Sequence, residues 1–108
     1  MRIGEATDAD FGFEVRSGDR PVLVQFTAEW CGPCRQLAPA LGEIAGQEAD
    51  RLKVVQVDVD RNPETTVAYG MLSTPTSMAF RDGEPVWQVV GARAKRRLVG
   101  ELAGAGVL

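Results

Sequence analysis

The sequence predicts an α/β fold, a mixed central sheet with helices on both faces, and three observations carry that expectation. Strand and helix signals alternate along the 108 residues. Val22-Leu23-Val24-Gln25-Phe26 and Leu52 to Val59 are nearly continuous apolar runs, which suit strands covered on both faces as in a parallel sheet. The last two strand signals flank Asp82-Gly83, a strong hairpin turn. Together they give the order β-α-β-α-β-α-β-β-α.

Taken in turn, Ile3 to Glu5 is a short first strand. Thr7 is placed to cap a helix reaching about Ser17, with Asp8 and Asp10 in its first turn, where the helix dipole favours negative charge. Pro21 opens a strand that ends at Thr27. A helix from Cys31 or Gly32 to Gln47 follows, with Leu37, Leu41, Ile44 and Glu48 on one side. Pro39 inside it removes a backbone hydrogen bond and should bend it. In the next strand Val55, Val57 and Val59 share one face, and Val54, Gln56 and Asp58 the other. Asn62-Pro63 starts a short helix ending near Gly70. Thr76 to Arg81 and Pro85 to Val90 form the hairpin, and a helix from about Ala94 to Ala103 turns Leu98, Val99 and Leu102 inward.

The length suits one domain over residues 1–108. A 44% hydrophobic and 25% charged composition is that of a globular protein able to bury a core. With 12 basic against 15 acidic residues and a net charge of −3, nucleic acid is not an expected partner. The one basic cluster, Arg93, Lys95, Arg96 and Arg97, reads as a solvated helix start. The first residues, Met1 to Asp8, turn acidic at once without an apolar core, so no signal peptide is expected. No run approaches the roughly 18 apolar residues that cross a bilayer. A cytoplasmic monomer without a membrane partner is the expectation, and in that compartment a Cys pair more often does redox or metal chemistry than structural work.

Cys31 and Cys34, separated by Gly32 and Pro33, sit between a buried strand and a helix start. That spacing brings both sulfurs within bonding reach. The unpaired N–H groups of the first helical turn favour a thiolate at Cys31, below the free thiol value of about 8.5. Pro33 suits the first helical position, where its missing N–H costs nothing. A zinc site wants about four ligands, chiefly Cys and His, and this chain has two Cys and no His. A purely structural disulfide closing about four residues stabilises by only about 2 kcal/mol. Two inert core thiols fit poorly with a Gly-Pro insert. Redox chemistry, with no bound cofactor, is the favoured reading.

Trp30-Cys31-Gly32-Pro33-Cys34 resembles the active-site signature of the thioredoxin family, and the likeness extends over the chain. Ala28-Glu29 before it, Pro39, Asp60-Arg61-Asn62-Pro63, Tyr69-Gly70, Thr74-Pro75-Thr76 and Gly91 fall in register with it. The resemblance implies the thioredoxin fold, and a reaction in which Cys31, the more exposed sulfur, attacks a substrate disulfide while Cys34 resolves the mixed disulfide. It implies a cis peptide bond before Pro75, and a docking surface formed by Trp30, Gly32, Pro33, Thr74, Pro75 and Gly91. It also implies protein disulfides as substrates and an NADPH-dependent flavoprotein, a thioredoxin reductase, as the partner that resets the pair.

Gln25 stands where the family usually carries a buried Asp, and Gln56 where it carries the Lys that partners it. A Gln25–Gln56 hydrogen bond would satisfy both amides without burying charge. Glutamine cannot take a proton from Cys34, so slow resolution near neutral pH is expected. Thr27 replaces a common aromatic and Thr74 a usual Ile, which points to a restricted set of partners. The alternatives are a disulfide oxidant or isomerase, and a binding module that keeps the fold while redox turnover has lapsed.

Overall fold

A computed structural model describes residues 3–108; Met1 and Arg2, the start of the segment expected to lack a leader, lie outside the described residues. The strands are β1 (Gly4–Glu5), β2 (Val22–Thr27), β3 (Lys53–Asp58), β4 (Thr76–Arg81) and β5 (Glu84–Val90). The α-helices are α1 (Gly32–Gln47), α2 (Pro63–Ala68) and α3 (Lys95–Gly104). The five-stranded sheet has the order β1-β3-β2-β4-β5. β1, β3 and β2 run parallel, and β4 and β5 are antiparallel to their neighbours. This is the mixed sheet expected.

The central strands are apolar because each face is covered. On one face Leu23, Val54 and Ala79 pack under Leu37, Leu41 and Ile44 of α1 and Leu98 and Leu102 of α3. On the other, Val22, Val24, Phe26, Val55, Val57, Met78 and Phe80 meet Phe11, Val15 and Tyr69. Phe11, Tyr69 and Phe80 pack together there, Phe80 edge to face with each of the other two and Phe11 tilted against Tyr69, with ring centroids 5.3 to 5.9 Å apart. The hairpin forms as its residues dictate: Asp82 and Gly83 both take positive φ, 52° and 81°, the geometry of a tight two-residue turn. Three of the four residues of the basic cluster are paired within the molecule, Lys95 with Glu43, and Arg93 and Arg97 with Glu101, while Arg96 is exposed.

The segment after β1 departs from expectation. No α-helix starts at Thr7; turns over residues 8–10 lead into a π-helical stretch, Gly12–Arg16. The Thr7 hydroxyl donates to Asp10 (3.0 Å) instead of accepting a helical N–H, and the Asp10 carboxylate also takes the Thr7 N–H at 2.6 Å. Asp8 serves another helix. Its carboxylate accepts the N–H groups of Glu64 (3.1 Å) and Thr65 (2.8 Å) at the start of α2, and its own N–H donates to Asn62 at 2.9 Å. A carboxylate aimed at the first-turn N–H groups satisfies donors that have no partner inside the helix.

Burial works against the Asp8 charge, but hydrogen bonds from the Thr65 side chain and from the Thr65 and Glu64 backbone outweigh it and hold the carboxyl below its usual 3.8. A carboxyl with a depressed folded pKa stabilises the fold at pH above its ordinary value, and that contribution fades as the pH falls through the folded pKa. Asp8→Ala is therefore expected to lower Tm at pH 7, with the gap to the wild type closing below about pH 3.8. Paired thermal melts at pH 7 and pH 3 check it; an equal gap at both pH values would contradict it.

Candidate active site

Cys31 ends the turn after β2 and forms the cap of α1. Its backbone is extended (φ −90°, ψ 106°), and its sulfur accepts the Cys34 N–H at 3.2 Å. The sulfur thus occupies the position an N-cap oxygen usually takes, facing the positive end of the helix. Gly32 is the first helical residue, which moves Pro33 to the second position, where the N–H would also lack an intrahelical acceptor. A disulfide joins Cys31 and Cys34, whose Cα atoms lie 5.3 Å apart.

In the disulfide form both cysteine residues are buried alike, Cys31 3% and Cys34 5% exposed. Both pack with Ala28 and, at the edge, Val59.

Val59 connects the pair to the surface. With Trp30, Thr66, Met71, Leu72, Ser73 and Thr74 it lines a shallow groove of about 100 Å³. Trp30 is 68% and Leu72 98% exposed, so the groove has an apolar rim. Trp30 is held in place by its indole N–H, which donates to Asp60 at 2.7 Å. Asp58 braces that loop by accepting the N–H groups of Asp60 (2.9 Å) and Arg61 (3.2 Å). Asp60, Val59, Met71 and Leu72 were not assigned to the site from sequence. Asp60 and Arg61 belong to a stretch that resembles the family, but nothing in their spacing to Trp30 announces the contact.

The Thr74–Pro75 bond is cis, as the resemblance implied. The Pro75 carbonyl accepts the Gly91 N–H at 2.8 Å, which joins those two expected site residues. Gly91 has φ 93°, a conformation that L side chains rarely adopt. The Thr74 backbone has no backbone hydrogen bond among the described residues, and its hydroxyl is buried without a partner.

Below the pair the two amides meet as expected. Gln25 and Gln56 are register partners on β2 and β3, and the Gln56 side-chain N–H₂ donates to Gln25 Oε1 at 2.8 Å. Gln25 is fully buried. Gln56 reaches a polar cleft of about 530 Å³ that Thr27, Asp58, Arg61 and Asn62 also line.

Among the described residues no group of three or more His, Cys, Asp or Glu side chains could hold a metal ion, and no helix is long and apolar enough to cross a membrane. A Cys-x-x-Cys pair that closes to a disulfide at the head of a helix, beside a cis-proline loop on a mixed sheet, defines a thiol–disulfide oxidoreductase. The comparisons narrow the class. The sequence model of the family Thioredoxin matches residues 2–103. The thioredoxin of Mycobacterium tuberculosis is 48% identical over 99 residues, covering 92% of this chain and 85% of that protein. That of Alicyclobacillus acidocaldarius is 48% identical over 97 residues, covering 90% and 91%. A bifunctional thioredoxin reductase/thioredoxin of Mycobacterium leprae is 46% identical over 99 residues, which are 92% of this chain and 22% of that protein. The chain belongs to the thioredoxin family and is a protein-disulfide reductase; neither a lapsed binding module nor an oxidant is favoured.

Proposed function

We propose that this single domain reduces disulfides in other proteins by dithiol–disulfide exchange, with Cys31 as the nucleophile and Cys34 as the resolving thiol. The observation that carries the assignment is the cap geometry: Cys31 Sγ, and not Cys34 Sγ, receives a helix N–H and faces the positive end of α1. In the reduced pair that arrangement stabilises a thiolate on Cys31, and the thiolate is the attacking species. It attacks one sulfur of the substrate disulfide and expels the other as a thiolate. Cys34, once deprotonated, attacks Cys31 in turn; the second substrate sulfur leaves, and the Cys31–Cys34 bond forms. The substrate gains two electrons and the pair loses two.

Trp30, Gly32, Pro33, Thr74, Pro75 and Gly91 form the docking face. An extended substrate segment pairs with the free Thr74 backbone as an added strand, its side chains against Trp30 and Leu72. The Mycobacterium leprae relative joins a thioredoxin reductase to a thioredoxin in one chain; an NADPH-dependent flavoprotein of that kind is the reductant proposed for the separate, cytoplasmic monomer here. Neither nucleic acid nor a membrane is a partner on this reading, since the net charge is −3 and three of the four residues of the basic cluster are paired internally.

Insulin reduction driven by dithiothreitol tests the reading, followed by titration of the pair against glutathione. Turnover above the dithiothreitol background with a couple more reducing than glutathione is expected. A couple more oxidising than glutathione would assign the chain to disulfide formation instead.

A further inference from the structure

The basic cluster begins just after Gly91, and its first member turns back toward that glycine. The ladder between β4 and β5 pairs Thr76 with Val90 and runs on to Pro75, whose carbonyl accepts the Gly91 N–H at 2.8 Å. Arg93 leaves this end of the sheet and folds back on it. Its Nη1 donates to the carbonyls of Val90 and Ala92, 3.4 Å each, so the guanidinium lies along the backbone on either side of Gly91. A Cβ on Gly91 would stand 3.8 Å from that Nη1 and, its chain neighbours aside, would meet nothing else within 4 Å. Gly91 therefore leaves open space, and the Arg93 guanidinium borders it.

Its charge is only partly answered within the molecule. Among the described residues Glu101 is the one carboxylate paired with Arg93, and Arg97 shares it. Glu101 Oε2 accepts the Arg97 Nε–H at 3.1 Å but lies 3.5 Å from Arg93 Nε, which is buried and makes no hydrogen bond. A single negative charge between two guanidiniums leaves positive charge over. Nη2 donates to nothing among the described residues and is not closed off from solvent; the Arg93 side chain is 24% exposed. A planar guanidinium held in this way offers a free, directed N–H edge.

We propose that Arg93 selects among substrates, favouring those that carry an Asp or Glu within about two residues of the attacked cysteine, a reach set by the rise of an extended chain. The inference rests on the docking reading above. A chain that pairs with the Thr74 backbone passes Pro75, and with it the open space over Gly91. A carboxylate brought there accepts from Nη2 in a charge-assisted hydrogen bond and supplies the anion that Glu101 supplies only in part. The two carbonyl contacts of Nη1 already hold the side chain, so little rotamer freedom remains to be lost on binding. Exchange at the sulfurs is unaltered; Arg93 acts on which disulfide is presented to them.

Short peptides with a single cysteine, oxidised to symmetrical disulfide dimers, test it. Glu, Gln or Lys is placed in turn at each of the two positions on either side of the cysteine. The second-order rate of reduction by the pre-reduced protein is divided by the rate with dithiothreitol, which removes each peptide's own reactivity. At one or more of these positions Glu is expected to exceed Gln about fivefold at low salt, with Lys below both, and about 0.5 M salt should remove most of the difference. The net charge of −3 by itself favours Lys, so that order singles out a local cation. In Arg93→Gln the Glu preference should vanish, in Arg93→Lys it should survive in part, and in Arg93→Glu the Lys peptide should lead. A purely structural role would slow all three peptides alike and leave their ratios unchanged. Should Arg93→Gln fail to fold, the wild-type order and Arg93→Lys still decide. A wild type that treats Glu and Gln equally at every position, or an Arg93→Gln protein that keeps the preference, would overturn the inference. Failure of the wild type to reduce any of the peptides would instead overturn the assignment of the pair.

Discussion

Cys31→Ser is expected to reduce insulin no faster than dithiothreitol alone, whereas Cys34→Ser should form a stable mixed disulfide with a substrate protein. The difference follows from the cap. Serine at position 31 can still accept the Cys34 N–H, as Cys31 Sγ does at 3.2 Å, so the helix keeps its cap while the nucleophile is lost. Loss of function should therefore come with little change in Tm relative to the reduced wild type, which also lacks the disulfide. Serine at position 34 leaves the attacking sulfur in place but removes the thiol that releases it. Non-reducing gels of the Cys34→Ser protein, incubated with cytosolic extract and then treated with dithiothreitol, would show bands that collapse on reduction. Trapping by Cys31→Ser instead would reverse the two assignments.

Gln25→Asp should have the second-largest effect, and in two directions. The position is fully buried and its neighbour Gln56 is neutral, so an introduced carboxyl has no cation to pair with. Desolvation then raises its pKa above the unfolded value of about 3.9, and a rise of about three pH units corresponds to about 4 kcal/mol. A raised carboxyl pKa means that the penalty is absent below about pH 3.9 and grows with pH until the folded pKa is passed. The variant should be markedly less stable than wild type at pH 8 and much closer to it at pH 4. A carboxylate can accept the Cys34 proton where an amide cannot, so disulfide reduction near pH 7 should quicken, by as much as about a hundredfold. Adding Gln56→Lys should restore stability, since Gln56 Nε2 already lies 2.8 Å from the Gln25 side chain. Urea melts across pH and insulin turnover check the two halves separately. An unchanged or slower turnover in a folded variant would show that proton removal from Cys34 does not limit the reaction.

A site this dependent on its underlayer divides unevenly between what residue order announces and what it conceals. The paired strands, the helix after Cys31 and the Asp82-Gly83 hairpin were legible because each rests on local rules: apolar runs, a proline near a helix start, two residues that tolerate positive φ. The stretch from Thr7 to Ser17 misled because a good cap residue and two early acids look alike whichever helix they serve. Asp8 caps α2 from 56 and 57 residues away, a fact that only the packing of the chain start against Asn62 establishes.

The sequence alone determined the order of elements, the redox pair, the family signature and the neutral Gln25–Gln56 substitution, because these depend on residue type and short spacing. Tertiary structure decided what covers the sulfurs, that Asp60 steadies Trp30, and that Gln25 Nε2 and Ser77 Oγ are left without partners beneath α1. Those outcomes depend on register between strands distant in the chain. A register is fixed by the summed packing of both sheet faces, and no single residue carries that sum.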